Sequence, residues 1–158
     1  MSRAFGPGVP FPPTLFFVVA FAVGLGLHDW HPWPFVSPET ARPPRVWVGG
    51  GLLVAGAAIF WWGMATFARA RTGIMLERPA EDLVTYGPYR WSRNPMYVGY
   101  VLAYLGLAAL SNTVWPVLML PIALVLLSLV IIQREERYLR SVFGEAYDAY
   151  CRRVGRWV

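Results

Sequence analysis

Long uncharged apolar stretches alternate along this chain with short connections that carry arginine. Phe11–Leu27 is the first stretch, with Pro12 and Pro13 at its start. Val46–Ala68 is the second, an uncharged run of the length a membrane-spanning helix needs, about 20 residues. Met96–Ile132 then runs without a charge. As one helix it would reach about 55 Å, too long for a hydrocarbon core of about 30 Å. Ser111-Asn112-Thr113 is its polar break, and Pro116 follows. The pattern predicts a helical hairpin, Pro95–Leu110 and Val114–Ile132, joined by a tight turn. Beyond it, Leu139, Val142, Phe143, Ala146, Tyr147, Tyr150 and Val154 recur at three- and four-residue steps, opposite Arg140, Glu145, Asp148 and Arg152. That periodicity predicts an amphipathic helix across Gln133–Val158 that lies on the interface or caps a bundle. Residues 1–158 therefore read as a single all-α integral membrane domain. It has about four transmembrane helices, the third and fourth forming the hairpin, plus a C-terminal amphipathic helix.

Composition sharpens the membrane reading. The chain is 56% hydrophobic and 15% charged, whereas a soluble domain carries about 25% charged residues. All 14 cationic residues are arginine, and the net charge is +5. They lie between or after apolar runs rather than along a basic stripe, which argues for topology signals and against nucleic-acid binding. With four spans, the N-terminus, the Arg69–Asn94 connection and the tail share one side and hold 12 of the arginines, against Arg42 and Arg45 on the other. That asymmetry predicts a multi-pass protein of the inner or plasma membrane with both termini cytoplasmic. Arg3 ahead of Phe11–Leu27 imitates a signal peptide, but no small-x-small cleavage site follows. The stretch reads instead as a first span anchored by Trp30 and Trp33. Gly51 and Ala55, with Gly56 and Gly63 nearby, form a small-residue face for close helix packing, within the bundle or in a dimer. Gly49-Gly50-Gly51 lacks the Lys-Ser/Thr of a P-loop. Cys151 stands alone, which excludes an intrachain disulfide and a cysteine-rich metal site. His28-Asp29-x-His31 has no further histidine to complete a metal set and reads as an interfacial loop, so no metal is expected.

Chemistry concentrates at the ends of the predicted hairpin. Asn94-Pro95 marks a helix start, because Asn is a good N-cap and Pro is favoured at the first helical position. The free amides and dipole there favour an anion, and Arg90 and Arg93 add full positive charge. Glu135-Glu136 falls just past the other arm, where two carboxylates oppose the helix dipole by a few tenths of a kcal/mol. Either the helix continues, or the carboxylates have cationic partners. Glu136 with Arg140 at i,i+4 would contribute about 0.2–0.5 kcal/mol; alternatively the pair faces Arg90 and Arg93, or a ligand. The hairpin brings Asn94 and Glu135/Glu136 together. A zwitterionic ligand suits such a place, with its carboxylate toward the arginines and its cationic or hydroxyl groups toward the glutamates. S-adenosylmethionine fits that description, although the residues alone do not single it out.

The stretch Gly87-Pro88-Tyr89-Arg90-x-x-Arg93-Asn94-Pro95-x-Tyr97-x-Gly99, followed by Glu135-Glu136-x-x-Leu139-x-x-x-Phe143-Gly144-x-x-Tyr147-x-x-Tyr150, resembles the isoprenylcysteine carboxyl methyltransferase family. Phospholipid N-methyltransferases have a similar C-terminal pattern. The resemblance runs from about Thr72 to Val158 and implies that residues 72–158 are the cofactor-binding catalytic half of a membrane methyltransferase. It implies S-adenosylmethionine held at the cytosolic face by Tyr89, Arg93, Asn94, Pro95, Tyr97, Glu135 and Glu136. A lipophilic acceptor would enter from the bilayer. Arg90, orienting an anionic acceptor, and Glu136 are the residues implied nearest the chemistry. Asn94 stands where the commonest motif has His, and Asn does not titrate near neutral pH. The acceptor stays open among a prenylcysteine-type carboxylate, a lipid amine and a thiol, as does the oligomeric state. Two other classes remain: a membrane sterol-type reductase using NADPH, whose chains have more spans, and a cofactor-free membrane scaffold.

Overall fold

The computed structural model describes residues 11–37, 42–70 and 83–158, and within them the chain forms helices and turns with no strand. Helix α1, Thr14–Trp30, begins directly behind the two prolines that cannot continue a helix backwards. Helix α2 is Arg42–Arg69, and a 3-10 turn, Gly87–Arg90, leads into α3, Pro95–Ser111. Helix α4, Trp115–Leu127, passes through a π-turn, Ser128–Ile132, into α5, Gln133–Phe143, and α6 is Glu145–Arg153. Among the described residues two helices are long and apolar enough to cross a membrane: Pro44–Arg69, with 26 residues, and the continuous Trp115–Phe143, with 29. Helices α1 and α3 are apolar but shorter, at 17 residues each. Arg3, Arg71, Glu77, Arg78, Glu81 and Asp82, which the sequence places in polar connections, lie outside the described residues.

Helix α2 packs along α3 in an antiparallel pairing set by glycines seven residues apart. A Cβ on Gly56 would come within 2.6 Å of the Gly99 carbonyl and of the Ala103 nitrogen. One on Gly49 would meet the Gly106 carbonyl at 2.9 Å, and one on Gly63 would meet the Met96 side chain at 2.9 Å. The backbones therefore touch directly, the close approach that small residues permit in apolar surroundings. This corrects the expected face. Gly51 and Ala55 look outward, and the packing stripe is Gly49, Gly56 and Gly63. The outward side of α2 carries Trp47, Val54 and Trp61, all largely exposed, as a lipid-facing surface requires.

Helix α4 lies chiefly against α1. Gly24 of α1 sits on Pro116, and Phe17 and Phe21 pack against the ring of Tyr104 at 6.1 and 5.2 Å. The core continues through Leu120, Leu127, Ile131 and Ile132 to Tyr97. The break after Ser111 falls where the sequence put it, and Asn112 adopts the left-handed conformation at φ 53°. Its side-chain amide donates to the Val36 carbonyl at 2.9 Å. Helix α3 packs mainly on α2 and α4 mainly on α1, so α3 and α4 touch each other only lightly beyond the turn that joins them. At the same end, His28 Nδ1 accepts from the Trp33 amide at 3.3 Å, and the His31 carbonyl accepts from the Trp115 indole at 2.7 Å. His28 and Asp29 thus close the last turn of α1 instead of forming the loop expected, and only His31 lies beyond it as the cap.

Two expectations for the tail change. The fourth helix does not end before the glutamates. The π-turn carries it onward, so Glu135 and Glu136 sit mid-helix and no helix C-terminus opposes them. A π-turn inserts an extra residue, turning everything after it by about 100° relative to a straight helix. The expected single amphipathic helix is instead two, hinged at Gly144, whose φ of 51° and ψ of −124° suit only glycine. Gly144→Ala is expected to destabilise by about 1–3 kcal/mol, although a Cβ there would meet no neighbouring atom. Thermal melting in detergent checks this, and an unchanged midpoint would contradict it.

Candidate functional site

The site is assembled where the start of α3 meets the first turn of α5. Gly87, at φ 63°, lets the 3-10 turn sit on α2, since a Cβ there would lie 2.9 Å from Thr66 Oγ1. Tyr89 is thereby buried, its ring edge-on to Phe67 at 4.9 Å. Its backbone carbonyl accepts a hydrogen bond from the Tyr150 hydroxyl at 2.8 Å. Burial pushes the Tyr150 phenol up to about 12, so it is protonated and donates. The Tyr89 hydroxyl itself is buried without a hydrogen-bond partner among the described residues, and burial holds it protonated too.

Ser92 and Asn94 shape the entry to α3. Ser92 Oγ accepts from the Asn94 amide at 3.0 Å, and the Asn94 carbonyl accepts from the Tyr97 and Val98 amides at 3.0 and 3.1 Å. Pro95 follows as the first helical residue, as its fixed φ favours. The expected side-chain cap is absent. Asn94 Nδ2 donates to the Arg156 carbonyl at 3.0 Å, which turns the side chain toward the C-terminal segment that folds over this turn.

Arg93 reaches α5 and α6 together. Its Nη1 donates to Glu136 Oε1 and to Cys151 Sγ, both at 3.0 Å. Arg156 completes the cluster: its Nε donates to Glu136 Oε1 at 2.9 Å and its Nη2 to Oε2 at 2.6 Å. The hydrogen bond to Glu136 holds the Arg156 guanidinium above its ordinary value. Beside this group, the Tyr97 hydroxyl donates to Glu135 Oε1 at 3.0 Å. Glu135 makes no ion pair among the described residues.

Tyr89, Arg93, Asn94, Pro95, Tyr97, Glu135 and Glu136 therefore converge on one region. Arg90 does not join them. It belongs to the same turn, but its side chain is exposed and takes part in no ion pair or hydrogen bond among the described residues. The intrahelical pairing of Glu136 with Arg140 does not form either. Arg140 bonds Asp148 Oδ1 at 2.8 Å and lies over the Tyr147 ring at 5.9 Å, leaving Glu136 to Arg93 and Arg156. Sequence reasoning missed Arg156 and the Cys151 contact. Arg156 had entered only as one more tail charge, and nothing in its spacing distinguishes it from Arg152 or Arg153.

The cluster has two halves. Arg93, Arg156 and Glu136 sum to one positive charge, and Glu135 adds a buried carboxyl group whose described partner is the Tyr97 hydroxyl rather than a cation. Arg93 Nε and the Tyr89 hydroxyl are buried donors with no acceptor among the described residues, and an unsatisfied buried donor costs about 1–3 kcal/mol. These features fit a zwitterion whose carboxylate meets the arginine side and whose cationic or hydroxyl groups meet Glu135. No group of three or more His, Cys, Asp or Glu able to hold a metal ion occurs among the described residues.

The phospholipid methyltransferase profile matches residues 44–146, and the chain belongs to that family, within the isoprenylcysteine carboxyl methyltransferase-like group. The chain is also similar to the cobalt-zinc-cadmium resistance protein CzcN of Cupriavidus metallidurans, 34% identical over 72% of this chain and 52% of that protein. It is 32% identical to the nickel-cobalt-cadmium resistance protein NccN of Alcaligenes xylosoxydans xylosoxydans, over 68% of this chain and 50% of that one. The chain thus spans about half the length of the curated relatives it matches.

Proposed function

We propose that this chain is an integral membrane methyltransferase that uses S-adenosylmethionine and acts on a lipophilic acceptor: a prenylcysteine-type carboxylate, a lipid amine or a thiol. One observation carries the reading. The two segments that carry the family resemblance meet in a single partly buried cluster, with arginines on one side and the Glu135 carboxyl group on the other. Arg93 would hold the cofactor's carboxylate, and Glu135 and Glu136 its cationic and hydroxyl groups. Tyr89, Asn94, Pro95 and Tyr97 would shape the place between them. When bound, the cofactor supplies a methyl group on an electrophilic sulfonium. The residues' task is alignment and charge stabilisation. Asn94 does not titrate, so it is not a base. A carboxylate or thiolate acceptor needs none, and Glu135 is the carboxylate left to take a proton from an amine. Arg90, exposed beside Trp91, would orient an anionic acceptor.

In this reading α1 and α3 complete four spans, and the 12 arginines of the N-terminus, the Arg69–Asn94 connection and the tail face the cytoplasm. Residues 72–158 form the catalytic half, of which Thr72–Asp82 lie outside the described residues. Thermal stability of the detergent-purified protein tests the cofactor. S-adenosylhomocysteine at about 100 times Kd is expected to stabilise by about 2.7 kcal/mol, and NADPH is expected to do nothing. Stabilisation by NADPH alone would make the protein a reductase. A folded sample that responds to neither ligand would make it a scaffold.

A further inference from the structure

The last residues fold back over the start of α3. The Gly155 carbonyl accepts from the Arg93 amide at 2.9 Å, and the Arg156 carbonyl accepts from Asn94 Nδ2 at 3.0 Å and from Ser92 Oγ at 3.4 Å. Trp157 packs against the core cluster that holds Tyr97, Ile131 and Ile132. Arg156 is therefore tied to both motifs, by its backbone to the Asn94 turn and by its guanidinium to both oxygens of Glu136. It lies beyond the residues that the family profile matches.

We infer that Arg156 is a positioning residue for the ligand site: it fixes the Glu136 carboxylate against the Asn94 turn, in the orientation the ligand meets. The inference rests on the methyltransferase reading. Arg93 cannot fix the carboxylate alone, because one of its nitrogens is shared between Glu136 Oε1 and Cys151 Sγ, which leaves Oε2 free to swing. A planar guanidinium gripping both oxygens removes that freedom, which a point charge would not. General electrostatics does not account for the arrangement. Arg152 and Arg153 offer the same charge, yet both are exposed and neither reaches a carboxylate among the described residues. The clasp also gives Asn94 a task. The position needs a donor toward the Arg156 carbonyl, and an amide that never titrates provides one.

The test is the Kd for S-adenosylhomocysteine, measured by titration calorimetry on the full chain in detergent, with folding followed by circular dichroism. Arg156→Ala is expected to weaken binding about 10- to 100-fold, the range carried by partners that orient a binding group. Arg156→Lys should recover only part of the loss, and Arg153→Ala should bind as wild type does. Asn94→Asp, nearly isosteric but without the donor, should weaken binding in the same direction. Wild-type affinity in a folded Arg156→Ala would overturn the inference and leave the methyltransferase reading standing. If Arg156→Ala does not fold, Arg156→Lys decides, since wild-type affinity there would show that the two-oxygen grip is dispensable. No binding by folded wild-type protein would overturn the methyltransferase reading itself, and this inference with it.

Discussion

Glu136→Gln is expected to lower the affinity for S-adenosylhomocysteine by about 30-fold or more while the helices remain formed. Glu136 is the common acceptor for two guanidiniums, at 3.0 Å from Arg93 and 2.6 Å from Arg156. The amide keeps the shape and removes the charge, so Arg93 and Arg156 face each other with no counter-ion. Removing one partner of a buried, hydrogen-bonded charge pair costs about 2–5 kcal/mol in binding, and each 1.4 kcal/mol is tenfold. The stability loss should be smaller, because the Arg156 side chain is 37% exposed and water can replace part of the pairing. Glu145→Gln, at an exposed position in the first turn of α6, is the control and should change neither quantity. Unchanged affinity in a folded Glu136→Gln would remove this glutamate from the site.

The second large effect belongs to the fold. Gly56→Leu is expected to destabilise by more than about 3 kcal/mol, at the upper end of overpacking costs, because no side chain can yield. The atoms a Cβ would strike, at 2.6 Å, are the Gly99 carbonyl oxygen and the Ala103 nitrogen, both backbone. Gly99→Leu should do the same from the other side, where a Cβ would lie 2.7 Å from the Gly56 carbonyl. Both would part α2 from α3 and displace the turn that buries Tyr89. Gly50→Ala, on the open face of α2 with no atom nearby, should instead gain about 0.5–1 kcal/mol from helix propensity. Thermal melting of the three variants in one detergent checks the contrast. Equal melting points would show that α2 and α3 do not meet on this stripe.

These effects separate what the sequence carries plainly from what it does not. The apolar runs, the break at Ser111–Thr113 and the helix start at Asn94-Pro95 follow from hydropathy and from proline, which act locally. That the Asn94 turn and Glu135/Glu136 come together was legible because two motifs flank one long apolar stretch, whereas the pairings of Arg93 with Glu136 and of Tyr97 with Glu135 needed the structure. The phase of α2 was not. A helix apolar all round has no polar face to mark its inner side, so Gly51 and Ala55 looked as suitable as Gly49 and Gly56. The π-turn left no local mark either, since its sequence, Ser128–Ile132, is ordinary apolar helix; only packing decides that Ile131 and Ile132 are both fully buried. Gly144 divides the tail because its φ is positive, a demand that amphipathic periodicity cannot report. Arg156 was invisible for a different reason. Its partners, Glu136 and Asn94, are 20 and 62 residues away, and a tail rich in arginine reads equally well as a topology signal.

Photo-crosslinking of S-adenosylmethionine carrying a tritiated methyl group, followed by fragment mapping, tests the central claim most directly. The label is predicted to attach saturably, to be displaced by S-adenosylhomocysteine and not by NADPH, and to reside in fragments covering Tyr86–Gly99 or Gln133–Trp157. Label confined to α1 or α2, or folded protein that takes up none above the competed background, would contradict a cofactor site where α3 begins and α5 turns.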